Sequence, residues 1–227
     1  MPDENYQTRF ELKPGKWVFV QTKQSALDGK VIVEELLKKW QPATHYYHFG
    51  KRGGHLGALR AHSVCKFRAS LDLKNFFSSV SRNKVSKSLK SIGFNQKDSF
   101  DIARRSCVEF GGKRFIPFGF IQSMALATLV IDRSRLGKTL DNLRSNGTFV
   151  SMYVDDLLIS SNSETELSDI YEMLAREVLC AGFELAKEKC ILPTESLDVF
   201  NCRVGEGTLS VTEKKNGGIP RSAFICE

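Results

Sequence analysis

Two carboxylates stand side by side at Asp155 and Asp156, between runs of strand-forming residues. Phe149-Val150-Ser151-Met152-Tyr153-Val154 precedes them and Leu157-Leu158-Ile159 follows, a pattern that predicts a β-hairpin with both acids at its tip. Adjacent acids repel, and a buried carboxylate needs a partner or a metal. A tip that projects both from one end of a sheet lets a divalent ion offset that repulsion. Turns also favour Asp for conformational reasons alone, so the pair is equally compatible with a plain turn. A third acid, Asp72, lies in a comparable setting, inside a run from Phe67 to Leu73 that reads as a strand. Acids on neighbouring strands could hold two divalent ions about 3.5–4 Å apart, the arrangement used for phosphoryl transfer. Hard oxygen ligands suit Mg²⁺, with Asp72 and Asp155 bridging and Asp156 adding charge.

The elements that must position these acids read as follows. Residues 1–24 look irregular, with a turn at Lys13-Pro14-Gly15-Lys16. A helix is predicted from about Leu27 to Trp40, with Val33, Leu36, Leu37 and Trp40 on one face. A glycine-rich basic segment follows, then the Asp72 strand. Helices are predicted at about Ser81–Ile92 and Gln96–Cys107, a hairpin at Gly111-Gly112, and one long helix from about Ile121 to Leu143. After the acid hairpin, Ser163 and Glu166 form a capping box that opens a helix to about Ala181. Weak strands near Lys189–Leu192 and Val199–Val204 close the folded part, and the last 20 residues, polar in character, are expected to be loosely held. This order is α+β, with an antiparallel sheet backed by helices bringing the acid-bearing strands together.

Composition narrows the function. The 227 residues allow one large domain or two small ones, and the apolar and charged contents, 41% and 26%, are those of a globular protein able to build a core. No apolar run is long enough to span a bilayer, and the opening Met-Pro-Asp-Glu-Asn-Tyr lacks the form of a signal peptide. Six cysteines without a close CxxC pair argue against zinc fingers and a disulfide framework. A cytoplasmic location and no membrane partner are therefore expected. The net charge of +7 favours an anionic partner such as nucleic acid. From His45 to Arg68 there are Lys51, Arg52, Arg60, Lys66 and Arg68, four histidines and no acid, interleaved with Tyr46, Tyr47 and Phe49. Such a segment could neutralise phosphates and stack on bases, or be a solvated loop with core aromatics. Its glycines allow close approach to a ligand or a plain hairpin.

Several ordered motifs resemble those of bacterial reverse transcriptases, the group of retron, group II intron, phage-defence and abortive-infection enzymes. Leu71-Asp72-Leu73-Lys74-Asn75-Phe76-Phe77 resembles the first catalytic motif, Pro117-Phe118-Gly119-Phe120-Ile121-Gln122-Ser123 the helix-entry motif, and Tyr153-Val154-Asp155-Asp156 the YxDD box. Phe183 to Lys189 resembles the motif that follows, and Phe200-Asn201-Cys202 to Gly205 the turn at the primer. The matches cover about residues 45–205. The resemblance implies a right-hand polymerase made of fingers and palm. Residues 1–67 would be the N-terminal helix and fingers, residues 68–205 the palm with a fingers insertion at about 94–118, and residues 206–227 a short tail in place of a full thumb.

The resemblance also implies roles. Asp72, Asp155 and Asp156 would be the catalytic acids. With the Leu73 carbonyl they would hold two Mg²⁺ ions (or Mn²⁺). Phe77 would lie against the sugar 2′-position and exclude ribonucleotides. Lys51, Arg52, Arg60, Phe118, Gln122 and Lys189 are candidates for contact with the incoming deoxynucleotide, and Tyr153, Phe200, Asn201 and Cys202 for the primer. The implied partners are an RNA template and DNA product, with a structured noncoding RNA, a partner protein or a second copy supplying the missing grip, and the implied setting is phage defence. Three positions depart from the family pattern: Phe118 replaces a glutamine, Met124 a proline and Ala186 an asparagine. Template-independent or protein-primed DNA synthesis and a non-catalytic RNA-binding subunit are the alternative readings; a nuclease is disfavoured by the lack of a histidine-rich metal motif.

Overall fold

The computed structural model describes residues 5–49 and 53–212. Lys51 and Arg52 lie outside these residues. The chain opens on a hairpin, β1 (Tyr6–Lys13) and β2 (Lys16–Gln21), where an irregular segment was expected. The predicted turn at Pro14-Gly15 is present, with Gly15 at φ 77°. Phe19 is buried and makes edge contacts with Tyr6 and Phe110, so aromatic packing holds a hairpin whose β1 is otherwise exposed. Helix α1 (Lys23–Lys39) starts four residues before the prediction because Thr22 caps it, accepting from the Ser25 N–H.

The basic segment holds a helix that periodicity did not reveal, α2 (Gly54–His62). Gly53 and Gly54, at φ 78° and 55°, turn the chain into it, so these glycines start a helix instead of forming a hairpin. Then come β3 (Phe67–Lys74), a 3-10 turn at Phe77–Ser79, α3 (Arg82–Ser91), α4 (Gln96–Ser106), and the hairpin β4 (Val108–Phe110) and β5 (Lys113–Phe115). The long helix expected over 121–143 is two helices, α5 (Ser123–Asp132) and α6 (Arg135–Ser145). Ser134 breaks it by capping α6 through the Gly137 N–H. Gly137 lets the second helix cross the end of the first: a Cβ there would stand 2.5 Å from the carbonyl oxygens of Ile131 and Asp132. The chain continues through β6 (Phe149–Tyr153), β7 (Asp156–Ser161), α7 (Glu164–Cys180), β8 (Glu184–Leu185) and β9 (Ile191–Thr194). It ends in a three-stranded meander, β10 (Leu197–Val199), β11 (Cys202–Gly205) and β12 (Thr208–Val211). The single strand expected over 199–204 is thus split by a turn, and β12 orders part of the tail. No helix among the described residues is long and apolar enough to cross a membrane.

The central antiparallel sheet has the order β6-β7-β3-β8, with β9 also paired to β3. Its two faces follow the period of two along each strand. Ala69, Leu71, Leu73, Val150, Met152, Leu157 and Ile159 join the main core with Leu167, Ile170 and Leu174 of α7. The alternate residues, Arg68, Ser70, Asp72, Ser151, Asp156 and Ser160, are buried and polar, on the face that α2 covers together with Leu158. This polar face needs internal partners. His62 supplies two, its Nδ1 lying 2.7 Å from the Ser160 hydroxyl and its Nε2 2.7 Å from that of Ser151. Burial, with the nearby Arg68 charge, holds this imidazole down to about 3, hence neutral. Arg68 donates to the carbonyls of His62, Ser63, Cys65, Lys66 and Glu195. Arg68, His62, His45 and Tyr46 are all buried. Much of the segment expected to face nucleic acid therefore builds the interior, because burying strong donors beside orphaned hydroxyls and carbonyls satisfies both.

Candidate active site

Strand register assembles the acids. Asp72 on β3 stands directly opposite Asp156 on β7, and the Leu73 N–H donates to the Asp155 carbonyl at 2.9 Å. Asp72 and Asp156 are 3% and 7% exposed, while Asp155 is half-buried in the turn. Two like charges facing each other across a ladder are destabilising, so the pair calls for a cation. Lys189 answers for Asp72, its Nζ lying 3.2 Å from each carboxylate oxygen. Among the described residues, no three His, Cys, Asp or Glu side chains converge into a ready-made metal cage, yet the buried, opposed acids fit hard divalent ions better than any neutral ligand.

The turn that carries Asp155 is two residues long, since Tyr153 pairs with Asp156. Val154 takes φ 60°, a region a β-branched residue enters only under constraint, at a cost of about 1–3 kcal/mol. The constraint is visible: the Val154 N–H donates to His48 Nδ1 at 3.1 Å, and His48 Nε2 lies 2.8 Å from the Thr128 hydroxyl. Sequence reading gave His48 no role of its own; an isolated histidine in a basic segment carries no signal of what it will orient. Cys190 also escaped it, though its Sγ accepts from the Asp72 N–H at 3.4 Å. The Asp72 carbonyl accepts from the Ala186 N–H.

Asn75, at φ 50°, turns the chain out of β3 toward Phe77. The Phe77 ring is half-buried and lies 5.7 Å from the Phe118 ring, centroid to centroid, while the Lys16 ammonium sits 4.5 Å over Phe118. The N-terminal hairpin, read as irregular, therefore closes over this corner.

Other predicted residues are placed elsewhere. Gln122 is buried, accepting from Gln21 Nε2 at 3.2 Å and donating to the Ser106 hydroxyl at 3.4 Å. Its amide ties β2, α4 and the start of α5 together. Arg60 is exposed in the last turn of α2, at the end facing Ser151 and Ser160 and away from the acid turn. Cys202 is buried in a cluster with Ala58, Leu59 and Val204, so its side chain packs inward. Tyr153, Phe200 and Asn201 stay at the surface side of the site. Burial raises the Tyr153 phenol above its usual value.

Known proteins share both the sequence pattern and the fold. The profile of the family described as reverse transcriptase (RNA-dependent DNA polymerase) matches residues 13–202. The retron Ec86 reverse transcriptase of Escherichia coli is 27% identical over 168 residues, which are 73% of this chain and 50% of that protein; the chain thus spans half the length of this curated relative. Among solved structures, the telomerase of Candida albicans, in complex with a fragment of telomeric RNA, superposes with a TM-score of 0.58 at 11% identity, over 83% of this chain and 39% of that one. A foamy viral protease–reverse transcriptase in complex with double-stranded DNA superposes with a TM-score of 0.50 at 20% identity, over 91% of this chain and 32% of that one. These two likenesses concern the fold.

Proposed function

The chain belongs to the reverse transcriptase (RNA-dependent DNA polymerase) family, and on that footing we propose that it adds deoxynucleotides to a primer 3′-hydroxyl under the direction of an RNA template. The observation that carries the proposal is the register of β3 against β7, which sets Asp72 opposite Asp156 and ties Asp155 to Leu73. Asp72 and Asp155, with Asp156 and the Leu73 carbonyl, would hold two Mg²⁺ or Mn²⁺ ions, which supply activation of the attacking hydroxyl and charge neutralisation of the triphosphate. The chain's own residues do the rest. The Phe77 ring, held by Phe118, excludes a ribose 2′-hydroxyl. Lys189 stands where it can pass from Asp72 to the triphosphate. Tyr153 and the turn at Phe200-Asn201 border the primer.

In this reading residues 68–205 form the palm, residues 1–67 belong to the fingers and N-terminal region, and about 94–118 form a fingers insertion. The excess of basic residues, +7 overall, supports a nucleic-acid partner beyond the template, and we assign that place to a structured RNA. The proposed phage-defence setting rests on the ordered motifs alone.

Primer extension on a defined RNA template, with Mg²⁺ and with dNTPs or NTPs, tests the reading. Wild type should yield DNA complementary to the template and ignore NTPs, and Asp155→Asn should reduce nucleotide addition by at least about a hundredfold, the size of effect expected when transition-state charge stabilisation is removed. Product unrelated to the template would favour template-independent synthesis, and full activity of Asp155→Asn would refute the proposed site.

A further inference from the structure

Three rings from three separate elements close on one another beside the acids. His55, in the first turn of α2, lies 5.7 Å from the Tyr153 ring and 5.6 Å from the Phe200 ring, and Tyr153 and Phe200 are 5.5 Å apart. The interplanar angles are 70°, 60° and 72°, the edge-to-face geometry that aromatic pairs favour. Each ring adjoins backbone in the left-handed region. Tyr153 precedes Val154 at φ 60°, Phe200 is itself at φ 55°, and His55 follows Gly53 and Gly54 at φ 78° and 55°. The start of α2 is close enough to Tyr153 that a Cβ on Gly54 would lie 3.8 Å from its ring.

Tyr153 belongs to the turn that bears Asp155, and Phe200 to a turn at the tip of β10 and β11, in a different sheet. The two turns are not paired to each other by any strand. The ring cluster joins them, and His55 is its member that belongs to neither turn. We infer that His55 is a positioning residue: its ring sets the spacing between the acid-bearing turn and the Phe200 turn, and so where a primer end lying along Phe200 meets Asp155. The inference rests on the polymerase reading above. In-line transfer tolerates little misplacement, since an error of about 1 Å can cost on the order of a hundredfold in rate. A spacer between the two turns then controls turnover without touching the nucleotide. The role needs a flat ring of this size, not an ionisable nitrogen.

The test uses the whole chain with a labelled primer–template duplex, and compares His55→Ala, His55→Phe, Phe200→Ala and the double variant His55→Ala/Phe200→Ala. His55→Ala should lower kcat for single-nucleotide addition by about tenfold, leave the dNTP KM within about twofold, and speed release of the duplex. His55→Phe should stay within about threefold of wild type on all readouts, because the ring is kept. The double variant should be no worse than Phe200→Ala alone, since both act through one cluster. His55→Leu, bulky but not aromatic, replaces His55→Ala if the latter does not fold, with the same expected defect.

Wild-type turnover and duplex release in His55→Ala would overturn the inference. So would a His55→Phe variant as defective as His55→Ala, or multiplicative losses in the double variant. If the wild-type chain adds no nucleotide, the polymerase reading fails, and duplex release alone still decides the role of His55.

Discussion

The hairpin at Gly111-Gly112 and the hairpin at Phe200-Asn201 have the same two-residue turn and nearly the same backbone, yet are built from opposite residues. In the first, Phe110 pairs with Lys113 and the loop glycines take φ 57° and 71°. In the second, Val199 pairs with Cys202 and the loop residues take φ 55° and 57°. Positive φ at both positions is the signature of a type I′ turn, which glycine and asparagine adopt readily. The first hairpin accepts that preference, and space around its glycines is open. The second places a phenylalanine where glycine fits better, and the acid turn does the same with Val154. Strain is tolerated at the two turns that border the site and absent from the one that does not. The difference shows where a side chain matters more than an easy backbone: Phe200 is kept in the left-handed region by its contacts with His55 and Tyr153.

The sharpest way to break this comparison is to remove the ring. Phe200→Ala and Phe200→Gly should both reduce primer extension, by between about tenfold and a hundredfold, measured as single-nucleotide turnover; if Phe200→Gly kept full activity, the strained residue would be doing nothing for function.

A second, smaller effect separates the hairpins by their supports. Strands β6 and β7, which carry the acid turn, are tied through the buried His62 between Ser151 and Ser160, whereas β4 and β5 are bridged by an exposed ion pair, Arg114 to Glu109 at 2.7 Å. Between about 3 and its ordinary 6.5, the unfolded chain binds a proton at His62 that the folded chain refuses. Stability therefore rises with pH across that window and is lost as the pH falls, at roughly 1.4 kcal/mol per pH unit from this group. Urea unfolding at pH 7, 6 and 5 should show this slope in wild type and a flatter one in His62→Gln; equal slopes would remove His62 from the account.

The smallest effect concerns the backbone alone. Gly112→Ala should cost about 1–2 kcal/mol of stability, the penalty for an L-residue in the left-handed region, with primer extension unchanged. At the other hairpin, Phe200→Gly should be more stable than Phe200→Ala by about 1 kcal/mol, since only alanine retains the strain. Thermal unfolding of the three variants checks the ordering, and a Phe200→Ala as stable as Phe200→Gly would show that the turn is not strained.

Much of this was legible beforehand where the cause is local. The acid hairpin, the Asp72 strand, α3, α4, the Gly111-Gly112 turn and the Ser163 cap follow from strand-forming runs, helical periodicity and capping residues within a few positions of one another. The errors fall where distant residues decide. The N-terminal hairpin depends on Phe19 packing against Phe110, the break between α5 and α6 on a crossing that Gly137 permits, and α2 on a start made by two glycines that read equally well as a hairpin. In the site, the same line separates Asp72, Asp155 and Asp156, which strand register brings together, from Gln122, Arg60 and Cys202, which lie apart from them. The acids are revealed by their own cost of burial, whereas Gln122 and Cys202 turned inward for reasons set by Ser106 and Leu59, and Arg60 lies at the end of α2 remote from the acid turn.

By itself, then, the sequence determined that two strands would each end in carboxylates, because alternation along a strand puts Asp72 on the face of Ser70 and Asp156 on that of Leu158. Only the tertiary structure decided that these faces coincide, that Lys189 reaches Asp72, and that His62 and Arg68 belong to the interior. It also decided that His48 and His55 meet the turns. Register, burial and ring contact are relations between residues far apart in the chain, and no local preference encodes them.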